Sequence, residues 1–190
     1  MLNQMLAFLL DTLLGLFSLA LLLRFYMQLV RAPYRNPLSQ FLAALTDFMV
    51  RPARRIIPGY GGMDLSTLVL AWLTQCILLA SMLMLQGYAF ASSPGIAVAG
   101  LGLLGILAII RTTLYIILVA VIAQALLSWV NPHTPFAPIL DSFTRPFLGV
   151  VRRYVPPIAN VDLSPLFVLV IIQLLLFMVA SANRQVSMLF

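Results

Sequence analysis

The sequence contains an internal duplication. Residues 37–75 align with residues 135–173 at a constant offset of 98 and without a gap, and 11 of the 39 aligned positions are identical. The identical pairs are Pro37/Pro135, Leu42/Leu140, Thr46/Thr144, Arg54/Arg152, Arg55/Arg153, Pro58/Pro156, Asp64/Asp162, Leu65/Leu163, Ser66/Ser164, Leu68/Leu166 and Gln75/Gln173. Apolar segments can match through composition alone, but the string Arg-Arg-x-x-Pro-x₅-Asp-Leu-Ser is too specific to occur twice by chance. The chain is therefore predicted to contain two copies of one module.

The composition places this module in a membrane. Hydrophobic residues make up 63% of the chain and charged residues 8%, whereas soluble domains carry about a quarter charged residues. The charges are eleven Arg and five Asp, with no Lys and no Glu. Arg stays protonated and binds phosphate through a planar fork, so this basic set suits a layer of anionic lipid headgroups better than a nucleic acid. The single cysteine, Cys76, excludes a disulfide framework within one chain.

Four segments are predicted to cross the membrane, since a span needs about 20 largely apolar residues. The N-terminus lacks a basic region and a convincing cleavage site, so its apolar segment is predicted to be a retained span. Arg24 is close enough to the end of that span to snorkel. Ser164 is predicted to cap the last span, with Pro165 as its first helical residue. The predicted spans are residues 5–30, 65–86, 114–130 and 163–182.

The third span is ambiguous in the sequence. Residues 96–130 are interrupted by Arg111-Thr112-Thr113, so residues 96–110 are either an interfacial or bent extension or a short fifth span. Arg residues concentrate in two loops, and the positive-inside tendency places both loops on one side of the membrane. Four spans satisfy that condition, with both termini outside. The predicted fold is an all-α polytopic bundle of four transmembrane helices in two repeats, residues 1–95 and 96–190.

The two loops, residues 31–64 and 131–162, are too apolar to be solvated linkers. Each shows apolar residues at helical spacing, which predicts an amphipathic helix that lies in the headgroup plane or docks on the bundle. In the second loop, Pro138 and Pro146 are expected to break this helix into pieces.

The repeated arginines admit two interpretations. Arg54, Arg55, Arg152 and Arg153 are candidates for a lipid-phosphate or anion site next to a helix N-terminus. Alternatively, they set the topology and pair with Asp64 and Asp162. The other repeated motif residues, which are expected to be structural, are Pro58, Ser66, Pro156 and Ser164.

Other polar residues carry weaker hypotheses. Gln75 and Gln173 lie near the predicted bilayer midplane, where they form either a substrate path between the repeats or an interhelical hydrogen bond. Asp11 is a candidate proton or ion site, and His133 a candidate haem ligand. The sequence contains no carboxylate pair, no catalytic triad, no Walker loop and no Cys/His cluster, so neither an enzyme nor a metal or cofactor site is predicted.

The duplicated motifs resemble the YggT (YlmG-like) family of integral membrane proteins. The resemblance rests on Thr46-x₇-Arg54-Arg55-x₂-Pro58-x₅-Asp64-Leu-Ser66, on its second copy from Thr144 to Pro165, and on the Leu127-Ser128-Trp129-Val130 segment. It covers nearly the whole chain. The two copies also differ, because Gln124 stands in the second repeat where the first repeat has Arg24.

The resemblance implies a protein of the bacterial inner membrane. Bacterial relatives are linked to osmotic stress tolerance, and plastid and cyanobacterial relatives to haem attachment on cytochrome b6 and to membrane organisation. The expected role is a non-enzymatic scaffold or assembly factor that binds anionic lipid and either a second copy or another membrane protein. A small channel or transporter with a path between the repeats, and a cytochrome or haem assembly factor, are the alternatives.

Overall fold

The computed structural model describes residues 1–33, 36–59, 61–88, 94–130, 134, 137–154 and 162–188. These residues form helices without strands. The helices are α1 (Leu2–Leu29), α2 (Pro37–Ile56), α3 (Leu65–Leu85), α4 (Pro94–Val130), α5 (Ala137–Tyr154) and α6 (Ser164–Ser187).

The predicted all-α bundle with four candidate spans is confirmed. Within the described residues, α1, α3, α4 and α6 are each long and apolar enough to cross a membrane. The third is longer than predicted, because α4 continues through the Arg111-Thr112-Thr113 interruption. Thr112 donates its hydroxyl hydrogen bond back to the Ala108 carbonyl at 2.9 Å, and Arg111 is exposed, so neither residue breaks the helix. At about 1.5 Å per residue, α4 is about 55 Å long and exceeds the hydrocarbon thickness.

The two loops contain the helices α2 and α5, which we call the loop helices. The expectation that proline breaks the second one is wrong: α5 runs unbroken from Ala137 to Tyr154 with Pro146 inside it. Pro138 is the second residue of α5, where its missing N–H leaves no intrahelical bond unmade. Pro146 removes one backbone bond, but Phe143 and Leu148 are buried on either side of it, and this packing holds the helix together.

The repeats pack against each other through α3 and α4. The Trp72 indole N–H donates to the Gly102 carbonyl at 3.0 Å. A Cβ placed on Gly105 would lie only 2.7 Å from the Cys76 Sγ, so glycine is what permits this close approach. Buried residues of both repeats, among them Leu21 and Ile116, belong to one apolar cluster, and a second cluster joins α4, α5 and α6.

Both loop helices contact the same end of α1. Arg24 of α1 donates to Thr46 of α2 at 2.7 Å, and the ring of Tyr26 lies 6.4 Å from the ring of Phe143 on α5. Because Arg24 and Tyr26 are only two residues apart on α1, the two loop helices lie at the same end of the bundle. The repeats therefore share one orientation and are not inverted.

Candidate functional site

Each loop helix meets the first span of its repeat through a polar contact, which we call the inner contact. In the first repeat, Asn36 caps α2 by accepting the Ser39 backbone N–H at 2.7 Å, and this cap fixes where the helix begins. Further along α2, the Thr46 hydroxyl and the Asp47 carboxylate both accept from the Arg24 guanidinium of α1, each at 2.7 Å. Thr46 is fully buried and in turn donates to the Leu42 carbonyl at 2.6 Å.

The snorkelling expected of Arg24 does not occur. Its side chain is only 8% exposed, and its charge is balanced by Asp47, which also pairs with Arg51 at 2.7 Å. The hydrogen bond from Arg24 is the main reason that the pKa of the Asp47 carboxyl lies below its ordinary value. A buried guanidinium is tolerated here because the Asp47 carboxylate balances its charge and the Thr46 hydroxyl supplies a second oxygen acceptor.

The second repeat builds the inner contact without an arginine. Thr144 is fully buried like Thr46, and its hydroxyl contacts the Gln124 amide. Gln124 also donates to the Asp141 carboxylate at 3.4 Å. The structure thus brings Gln124 to the position that Arg24 occupies in the first repeat, as the sequence comparison indicated.

Two equivalent cavities adjoin the inner contacts. The first is lined by Arg24, Met27, Gln28, Ser39, Leu42 and Ala43. The second is lined by Gln124, Leu127, Ser128, Ala137, Leu140 and Asp141, which are the repeat equivalents of those residues. The first cavity measures about 10 Å³ and the second about 190 Å³. The guanidinium of Arg24 is longer than the amide of Gln124, so the same groove is filled in one repeat and open in the other.

The far end of each loop helix is held by an Arg–Asp pair. In the first repeat, the Arg54 Nε donates to Asp64 at 3.0 Å, and the Ser66 hydroxyl donates to the same carboxylate. Thr67 donates its hydroxyl to the Asp64 backbone carbonyl at 2.7 Å. Asp64 is buried, and it precedes the first residue of α3, so this pair joins the end of α2 to the start of a span.

The second repeat repeats this pair. The Arg152 Nε donates to Asp162 at 2.8 Å, and the Ser164 backbone N–H donates to the other carboxylate oxygen at 2.9 Å. The N-cap residue of α6 is therefore Leu163, with the Asp162 carboxylate bound to the first helical N–H, and not Ser164 as the sequence suggested. Pro165 is the second residue of α6, one position later than predicted.

Both aspartates are held in the charged state. Burial raises the pKa of the Asp64 carboxyl, but the hydrogen bonds from Arg54 and Ser66 outweigh it, so the pKa lies below its ordinary value. The pKa of Asp162 is also lowered, since the effect of burial, which raises it, is outweighed by the hydrogen bonds from Ser164 and Arg152.

The second arginine of each pair has a different environment. Arg55 and Arg153 are exposed, and within the part of the chain that the structure describes neither has an ion-pair partner within 4.0 Å. The four repeated arginines therefore divide into two that bind aspartate, Arg54 and Arg152, and two that are available to an anion.

The two intramembrane glutamines are not brought together. Gln75 is buried and donates to the Ser18 hydroxyl of α1 at 3.0 Å. The residue equivalent to Ser18 in the second repeat, in the alignment that pairs Arg24 with Gln124, is Leu118, which offers no hydrogen bond, and Gln173 is exposed on α6. The repeat thus places one glutamine inside the bundle and the other on its surface.

The remaining candidates are dispersed. Pro58 follows α2 and is exposed, and Asp11 is exposed on α1. Pro156 and His133 lie outside the described residues. Among the described residues, no group of three or more His, Cys, Asp or Glu side chains is placed to hold a metal ion.

Fold and site together define a class: a duplicated, multi-pass helical membrane protein whose two loop helices are fixed to the spans by matching polar contacts. The chain belongs to the CCB3/YggT family, whose pattern matches residues 3–86 and 103–182, one segment in each repeat.

Relatives over most of the chain agree with this assignment. The chain is 39% identical over 176 residues to "Uncharacterized protein PA0392" of Pseudomonas aeruginosa, covering 92% of this chain and 87% of the relative. It is 30% identical over 168 residues to "Uncharacterized protein YggT" of Escherichia coli strain K12, covering 88% and 85% respectively. It is 32% identical over 169 residues to a Vibrio alginolyticus protein, covering 88% and 89%. No solved structure matches the chain.

Proposed function

We propose that the chain is a non-enzymatic scaffold of the bacterial inner membrane, in which the loop helices bind the cytoplasmic headgroup layer. One observation carries this proposal. In both repeats the loop helix is fixed at two points, by the inner contact and by the Arg–Asp pair, so its outer side is presented in a defined orientation. Matching contacts in two copies support a shared task for the two helices.

The outer side of the loop helices has the chemistry of a membrane interface. On α2 the exposed large apolar residues include Phe41, Phe48 and Ile56, and on α5 they include Phe147, Val150 and Tyr154. Arg55 and Arg153 stand at the end of the same helices, where their charges can meet lipid phosphate. Apolar side chains that enter the acyl boundary, together with arginines at phosphate level, suit an interfacial helix.

The scaffold proposal includes assembly with a second copy or another membrane protein, and a contribution to osmotic tolerance. Support for the osmotic role comes from the family resemblance. The channel alternative has less support, because the amide of Gln75 is engaged by Ser18 and the other glutamine of the proposed path lies on the outer surface.

Survival of osmotic upshift in a bacterium that lacks its own family member tests the proposal. Arg55→Gln with Arg153→Gln should lower survival most of the way to that of cells without the chain, because each loop helix loses the free arginine at its end. The matched control is Arg111→Gln with Arg184→Gln, which removes two exposed arginines outside the loop helices and should leave survival unchanged. Equal amounts of each variant in the membrane fraction are required. Full survival of the Arg55/Arg153 variant would contradict the proposed mechanism.

A further inference from the structure

An open cavity lies between the end of α1 and the loop helix α5. Its volume is about 380 Å³, and it is lined by Val30, Arg31, Asp141, Ser142, Arg145 and Pro146. Arg31 belongs to the first repeat and the other charged residues to the second, so the cavity is formed only where the two repeats meet. None of its residues belongs to the Arg–Asp pairs described above.

The two arginines of this cavity are free to bind a ligand. Arg31 and Arg145 are exposed, and among the described residues neither forms an ion pair within 4.0 Å. Arg31 adopts a left-handed backbone conformation with φ 51°, which residues with a side chain rarely adopt. This conformation ends α1, since the N–H groups of Arg31 and Ala32 bond back to Gln28 and Met27 at 3.1 and 2.9 Å.

The charges of the lining favour a monoanion. Two guanidinium groups and the Asp141 carboxylate leave one net positive charge, and Gln124 already donates to that carboxylate. Guanidinium groups bind phosphate oxygens through paired, charge-assisted hydrogen bonds. The cavity therefore suits a phosphodiester with a single negative charge.

A second, apolar cavity begins where the first one ends. It measures about 240 Å³, and its lining residues are Leu114, Ile117, Pro146, Phe147, Val150, Val151, Val168, Ile171, Ile172 and Leu175. Pro146 lines both cavities. Leu175 lies eleven residues beyond Ser164, about 16 Å along the axis of α6, so the apolar cavity extends from the loop helix toward the middle of the span. A charged cavity suited to a phosphodiester, joined to an apolar cavity, matches a phospholipid better than a free anion.

Among the described residues, the first repeat does not reproduce the charges of this site. Asp47 stands at the position of Arg145 and is paired with Arg24 and Arg51. Phe48 stands at the position of Pro146, and its ring lies 5.7 Å from that of Phe17. The charge at the first position is thus reversed and an aromatic ring replaces proline at the second, so the predicted stoichiometry is one site per chain.

We propose that these adjoining cavities bind one anionic phospholipid, with its phosphodiester against Arg31 and Arg145 and an acyl chain along the apolar cavity. The inference rests on the proposed function in one respect, namely that α5 lies at headgroup level. It goes further by naming a lipid class, a stoichiometry and two binding residues.

Native mass spectrometry of the full chain in detergent, titrated with phosphatidylglycerol or with phosphatidylcholine, tests the inference. One phosphatidylglycerol should be retained per chain in preference to phosphatidylcholine. Arg31→Gln and Arg145→Gln should each weaken that binding about tenfold, because each removes a charge-assisted hydrogen bond to phosphate. Arg184→Gln is the matched control: it removes an exposed arginine outside the loop helices and outside both cavities, and should leave the binding unchanged.

Two further measurements separate a lipid from a free anion. Inorganic phosphate in excess should not displace phosphatidylglycerol. Val150→Trp fills the apolar cavity and should weaken the binding of phosphatidylglycerol. Displacement by inorganic phosphate, or an unchanged affinity in Val150→Trp, would overturn the acyl-chain assignment. Equal weakening by Arg184→Gln would show a general charge effect and overturn the site itself.

The failure of this inference is distinguishable from the failure of the scaffold proposal. Loss of survival in the Arg55/Arg153 variant, together with no preference for phosphatidylglycerol, would overturn the lipid site alone. Selective lipid retention with unaffected survival would overturn the scaffold mechanism and leave the lipid site in place.

Discussion

Asp64 and Asp162 are the residues on which the ends of the loop helices depend. Each carboxylate accepts a hydrogen bond from an arginine of the loop helix and another from a serine at the start of the next span. The Arg-Arg-x-x-Pro-x₅-Asp-Leu-Ser string therefore encodes a local structure in which the first arginine and the aspartate meet across the turn. The sequence alone left this pairing as one of two interpretations of the motif, because it could not show which arginine turns toward the carboxylate.

The lowered pKa of Asp64 predicts the direction of acid destabilisation. A carboxyl whose folded pKa lies below its ordinary value of about 3.9 contributes stability above that value, and the contribution is lost as the pH falls through the folded pKa. The thermal unfolding midpoint in detergent should thus be level from about pH 8 to pH 5 and fall below about pH 4.

The variant Asp64→Asn isolates this contribution. Its unfolding midpoint should be lower at pH 7, because Arg54 loses its charged partner, and it should show a smaller fall in acid than the parent chain. Asp11→Asn, at an exposed position on α1, is the control and should keep the acid dependence of the parent. An undiminished fall in Asp64→Asn would show that another carboxyl controls the transition.

In the first repeat, the sequence did not predict the hydrogen-bond acceptors of Arg24. Arg24 was expected to reach the headgroup layer, but α2 lies against the end of α1 and supplies acceptors at Thr46 and Asp47. The repeated pair Thr46/Thr144 was the available signal for these acceptors, because a hydroxyl at equivalent positions of two apolar copies indicates a polar partner. The partner could not be identified from sequence, since it lies on a different helix.

At the scale of the helices, the sequence predicted existence and type well and continuity poorly. All four spans and both loop helices are present in the structure. The errors concern proline and polar interruptions, at Pro146 and at Arg111-Thr112-Thr113. At Pro146 the cost of the interruption is local, whereas the packing that offsets it joins the neighbouring Phe143 and Leu148 to residues of other helices.

The contact between α3 and α4 depends on the absence of a side chain at Gly105. Gly105→Ala should lower the free energy of unfolding by about 1–3 kcal/mol, because the new methyl group would approach the Cys76 Sγ and the Trp72 ring. A titration with denaturing detergent, followed by circular dichroism, measures this change.

Two further variants control the measurement. Cys76→Ala in the Gly105→Ala background should restore part of the loss, since it removes the nearest atom while Trp72 stays at 3.1 Å. Gly95→Ala adds a methyl group with nothing within 4 Å and should be neutral or slightly stabilising. Equal losses from Gly95→Ala and Gly105→Ala would mean that the contact is not close-packed.

At the scale of the whole molecule, the duplication predicts the architecture but not the differences between its halves. The positive-inside tendency of the two Arg-rich loops predicted two modules of one orientation, and both loop helices contact the same end of α1. The differences arise from single substitutions at equivalent positions. Leu118 in place of Ser18 leaves Gln173 without the partner that Gln75 has, and Gln124 in place of Arg24 opens a cavity.

The sidedness of the two loop helices is the measurement that tests the central claim. Gln40 and Pro138 are equivalent positions of the two loop helices, and both are exposed. In a Cys76→Ala background, Gln40→Cys and Pro138→Cys should both resist a membrane-impermeant thiol reagent in intact cells and react after lysis. Labelling of one of them in intact cells would place the loop helices on opposite sides of the membrane, and would contradict both the parallel repeats and the scaffold that depends on them.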